Sequence, residues 1–97
     1  PMITISSTLA LSMPFFNTDY NQIVAMIDAR RMEAFVQRFD RLGQSLQPIR
    51  PQILDDAFAE HLTNTAPKTI CIGSGADKWQ LPEVFHKNIE IRKNRHI

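Results

Sequence analysis

Residues 18–42 read TDYNQIVAMIDARRMEAFVQRFDRL, and the fold turns on what this stretch forms. Asn17, Thr18 and Asp19 make a helix-start signal. A short polar side chain there can accept a bond from an orphan amide, and an acid suits the positive end of the helix dipole. Neither proline nor glycine interrupts the chain from there to Gly43. The reading is one long helix from about Thr18 to Leu42 or Leu46, with Gly43 and Pro48 as stop signals. At 100° per residue it carries two apolar bands. Tyr20, Ile23, Val24, Ile27, Ala34, Phe35 and Leu42 form the first. Ala25, Ala29, Met32 and Val36 form the second, with Phe39 bridging them.

That apolar arc is wider than one core contact needs, so a second surface is expected to pack on it. The occupant could be a second copy in a homodimer, a different protein, or the shorter helix of the same domain. Arg31 and Arg38 lie seven residues apart on one helical face, inside the first band. A buried unpaired charge costs several kcal/mol, so each needs an acid or must reach solvent. Asp28 is in reach of Arg31, and Asp55, Asp56 and Glu60 are candidates for Arg38. Alternatively, an interface arginine meets a partner's carboxylate. The expected protein-binding surface is therefore Ala25, Ala29, Arg31, Met32, Val36, Arg38 and Phe39.

Outward from the helix, Ile3, Ile5, Leu9 and Leu11 near-alternate with small polar residues, so Met2 to Leu11 reads as a strand that Pro14 ends. Pro48 to Pro51 is a stiff connector, and Pro51 can open a second helix to about Leu62. Lys68 to Ile72 reads as a strand, Gly73-Ser74-Gly75 as a hairpin turn, and Ile89 to Arg92 as a last strand. The expected fold is a single α+β domain over residues 1–97, order β-α-α-β-β. One long and one shorter helix would pack on a small, mostly antiparallel sheet.

Eleven basic and ten acidic residues leave a formal charge of +1, which is no electrostatic footprint for nucleic acid. The local excess at Arg92, Lys93, Arg95 and His96 reads as a short solvated basic tail. Cys71, the single cysteine, permits no internal disulfide, which suits a reducing, cytoplasmic setting. Between Ile70 and Ile72 it reads as inert packing. There is no apolar run of membrane-spanning length and no secretory leader pattern.

Chemistry-bearing motifs are sparse. His61, His86 and His96 have no partners at metal-ligand spacing. Gly73-Ser74-Gly75 lacks the rest of a phosphate loop. Trp79 reads as core, with base stacking beside the basic tail as the nucleic-acid alternative. No catalytic residue, cofactor or metal is expected. The enzyme alternative starts at Pro1: PMITIS is similar to the opening of the tautomerase superfamily, in which an N-terminal proline acts as a base. A β-α-β unit should then follow, and the expected second helix departs from that pattern.

Three segments, TDYNQIVAMIDARRMEAF (18–35), LQPIRP (46–51) and KWQLPEVFHKNIEIRK (78–93), carry a different likeness. Together they resemble the epsilon-type derepression proteins of satellite prophages. That resemblance implies a cytoplasmic anti-repressor, a viral protein without catalytic activity, whose partner is the repressor of a helper phage. It supplies no residue-level binding motif.

Overall fold

The computed structural model describes residues 5–92. The decisive stretch is not a helix. Gln22–Asp28 is strand β1 and Glu33–Asp40 is strand β2, joined in an antiparallel hairpin with Ile23 opposite Phe39 and Met26 opposite Val36. Helix α1 (Ile5–Ser12) and a 3-10 turn (Met13–Phe15) precede the hairpin. Strand β3 (Arg50–Ile53), helix α2 (Asp56–Thr65), strand β4 (Thr69–Ile72) and the short helix α3 (Ser74–Asp77) follow it. A 3-10 segment (Glu83–Lys87) leads into strand β5 (Ile89–Ile91).

The sheet runs β3-β2-β1-β4-β5. β2 is antiparallel to β1 and to β3, whereas β1, β4 and β5 are mutually parallel. The domain is α+β as expected, but the sheet is mixed, and the element order differs from β-α-α-β-β. Two layers of side chains sandwich it. Val24, Met26, Ala34, Val36, Cys71 and Ile89 face Phe58, Ala59 and Leu62 of α2, together with Trp79 and Leu81. Ile23, Ala25, Phe39, Ile70 and Ile72 face Leu9, Leu11, Phe15, Phe16 and Tyr20 on the opposite side.

This double burial explains the two apolar bands. A strand covered on both faces reads as a continuous apolar run rather than an alternation. Ile23 through Met26 are all fully buried. Plotted on a helix, such a run spreads around most of the circumference. What looked like excess apolar surface is covered by the chain's own two layers.

Three other expectations need correction. Within Met2 to Leu11 the described part, from Ile5, is helical; residues 2–4 lie outside the described range, as do Pro1 and the tail from Lys93. Pro51 opens no helix but sits in edge strand β3, where a missing amide donor is tolerated. α2 starts later, capped by Asp55, whose carboxylate accepts the Phe58 amide at 3.0 Å. Gly73-Ser74-Gly75 is no hairpin turn, because it begins the crossover between parallel strands β4 and β5. The strand before it, the last strand and the buried Trp79 are found where expected, with Trp79 stacked on Phe58 at 5.4 Å between ring centroids. Among the described residues, no helix is long and apolar enough to cross a membrane.

Candidate functional site

The β1–β2 connection, Ala29 to Met32, carries no proline or glycine, so little in its local sequence announces a turn. It is held from outside. The Lys78 ammonium, just past α3, donates to Asp28 Oδ1, to the Arg30 carbonyl and to the Glu33 carbonyl (2.7 Å for the last). All three of its donors are thereby spent on one turn. The turn closes on itself through Glu33 N–H to the Arg30 carbonyl at 3.0 Å and Ala29 N–H to the Glu33 carbonyl at 3.2 Å. Leu54 N–H donates to the Met32 carbonyl at 2.7 Å, tying the same turn to the end of β3.

Replacing Lys78 with Met is expected to cost ~1–3 kcal/mol, mainly because the Arg30 and Glu33 carbonyls each lose one of two donors and keep only a backbone amide. The ion pair adds little, since the Asp28 side chain is 57% exposed. Hydrogen exchange of the Ala29 and Glu33 amides should accelerate in that variant more than exchange in β4.

This turn lies at a particular place in the sheet. β1 and β4 are parallel neighbours, and the chain leaves them in opposite directions, to β2 and to β5. In open α/β sheets that divergence opens a crevice beyond the strand ends, where ligands commonly bind. Here Ser74 and Lys78 reach across to the end of β1. Ser74 Oγ accepts the Asp28 amide at 2.9 Å, and Lys78 occupies the space above. Gly75 packs so tightly beneath that a Cβ on it would stand 2.7 Å from the Ala34 Cβ. Among the described residues, no three His, Cys, Asp or Glu side chains converge as metal ligands.

The turn projects Arg30, Arg31 and Met32 into solvent, with Met32 50% exposed. Met32 borders a shallow groove with Leu54, Ala57 and Trp79, whose rim carries Asp55 and Asp56.

The seven expected contact residues are scattered. Ala25, Val36 and Phe39 are core, with Ala25 and Phe39 on the α1 side of the sheet and Val36 on the α2 side. They form no surface, because the stripe that joined them was helical. Arg31 and Met32 are exposed at the apex and Ala29 is half-buried beside it. Asp28 pairs with Lys78, not Arg31. Arg38 reaches none of Asp55, Asp56 and Glu60. Its Nε donates to Gln47 Oε1 at 2.7 Å and its Nη1 to Gln22 Oε1 at 2.9 Å. Burial, and then the neighbouring charge of Arg50, hold the Arg38 guanidinium below the ordinary arginine value. Cys71 is fully buried, and burial pushes its thiol well above the usual range, so it is packing and not a nucleophile.

Sequence reasoning missed Lys78, Arg30, Gln22, Gln47 and Arg50. Only the hairpin brings Lys78 to a turn nearly fifty residues away, and no local pattern signals that pairing. His86 has a ring nitrogen 3.2 Å from the Leu81 carbonyl, a contact that braces the 3-10 segment. No family model, curated protein or solved structure matches the chain.

Proposed function

We propose that this domain is a non-enzymatic protein-binding module that presents Arg30, Arg31 and Met32 to a partner. The observation that carries the reading is a solvent-facing arginine-arginine-methionine apex anchored by a lysine with every donor engaged. Arginine and methionine are enriched where proteins meet. A turn already held in one shape loses little freedom on association, so more of the contact energy appears as affinity.

The partner this surface fits offers carboxylates to Arg30 and Arg31 and an apolar socket to Met32. The likeness to derepression proteins narrows it to a phage repressor, which makes the domain an anti-repressor. That narrower form draws its support from the three similar segments alone. Both forms are tested with Arg31→Glu and Met32→Asp. Each variant should retain the parent circular dichroism and melting temperature. Each should weaken capture of a purified partner by roughly tenfold or more, the scale of one well-placed interface side chain. Unchanged capture by both variants would remove the apex from the interface. A helper-phage repressor that fails to bind the parent protein would remove the anti-repressor form and leave the broader reading. Sedimentation of the parent and of Met32→Asp separates a second copy of the chain from a different partner.

A further inference from the structure

Arg38 and Arg50 sit on the same side of the sheet, near the far end from the turn. Arg50 opens edge strand β3 opposite Val36, two residues along β2 from Arg38. Arg38 is half-buried and Arg50 exposed. Neither has a carboxylate within ion-pair distance among the described residues. Asp40, the nearest acid along β2, spends Oδ1 on the amides of Leu42 and Gln44, each at 2.9 Å.

The groups that do hold Arg38 are neutral. Gln22 and Gln47 orient the guanidinium without cancelling its charge. Gln22 is only 1% exposed, and its own amide is fixed by Thr69 at 3.1 Å and Thr65 at 3.3 Å. The brace therefore runs from α2 and β4 through a buried glutamine to one guanidinium. Two of its five N–H donors are used and three remain. Thr65, at the end of α2, supports Gln22 from behind and supplies no charge to the site. It does not explain why a second arginine stands beside the first, since two like charges in proximity repel. An ordered, charge-bearing fork with spare donors beside a second cation is the arrangement that recognises a multiply charged oxyanion.

We infer that Arg38 and Arg50 form a binding site for a phosphate group, free or carried as a monoester, with Gln22 and Gln47 as positioning residues. A carboxylate would neutralise only one of the two charges, whereas a phosphate dianion matches both. The site lies apart from the β1–β2 turn and does not depend on the protein-binding reading.

The test is thermal melting of the full chain against increasing inorganic phosphate at constant ionic strength, at a pH where the dianion predominates, with acetate as control. A saturable rise in melting temperature with phosphate, and none with acetate, is expected. Arg50→Ala removes an exposed side chain that repels Arg38, so it should melt no lower than the parent in phosphate-free buffer. It should bind phosphate about tenfold more weakly, the scale of losing a charge-assisted contact. Arg38→Lys keeps the charge but loses the planar fork, and should weaken binding similarly. Absence of a saturable shift overturns the inference, as does an equal shift with acetate or undiminished binding by Arg50→Ala. Glycerol phosphate in a parallel titration identifies the source: tighter binding than inorganic phosphate indicates a phosphorylated metabolite, and equal binding indicates free phosphate.

Discussion

Val36→Asp is expected to unfold the domain, while Met32→Asp leaves its melting temperature almost unchanged. The two residues are four apart and would share one stripe on a helix. In the hairpin they part company: Val36 is completely buried against α2, and Met32 is half exposed at the turn. Val36 is fully buried in the layer against α2, so a carboxylate there loses its hydration and the apolar packing together, at a cost of several kcal/mol that the exposed cross-strand neighbour Arg50 offsets only in part. A domain of this size has ~5–15 kcal/mol of total stability, so such a loss takes most of it. The Met32 substitution adds a solvated charge beside Arg30 and Arg31 and should stay within about 0.5 kcal/mol. Circular dichroism melts of the two single variants decide the matter. If both variants behave alike, the hairpin assignment is wrong.

The second large effect is expected at Gly73. Its φ of 101° and ψ of 175° fall in a region open essentially to glycine alone. A Cβ there would also stand 2.3 Å from the Met26 carbonyl oxygen, which belongs to the central strand and cannot give way. Gly73→Ala should therefore cost ~3 kcal/mol or more, combining backbone strain with a backbone clash. Urea unfolding measures it. Gly75→Ala is the informative comparison. Its closest clash is with the Ala34 side chain at 2.7 Å, so Ala34→Gly should recover part of the loss. No side-chain change should rescue Gly73→Ala. A loss below about 1 kcal/mol there would mean that the β4–α3 junction is looser than its geometry implies.

Strand β4 was legible as a short β-branched run between Pro67 and Gly73, and β5 from the alternation of Ile89 and Ile91 with Glu90 and Arg92. Cys71 was legible as core because Ile70 and Ile72 flank it, whereas Trp79, between Lys78 and Gln80, was legible only through the general tendency of tryptophan to be buried. The hairpin was not legible. Its turn has no glycine or proline, and its strands lack alternation because both faces are covered. Of the expected contact residues, Arg31 and Met32 do reach the surface, and Ala25, Val36 and Phe39 do not. The helix template assigned them one face, whereas a strand sends Val36 and Phe39 to opposite sides of the sheet.

By itself, the amino-acid sequence determined the class and the ingredients: an α+β chain near charge balance, with β4 and β5 already marked as strands but not as parallel ones. Tertiary structure alone decided what residues 18–42 became. Helix and hairpin satisfy the same backbone donors and bury the same apolar side chains. The choice between them falls to distant groups, namely Lys78 binding the turn carbonyls, Ser74 taking the Asp28 amide, and the two layers that cover β1. Local propensity contains none of these contacts, because the partners stand some fifty residues away in the chain and meet only when the sheet assembles.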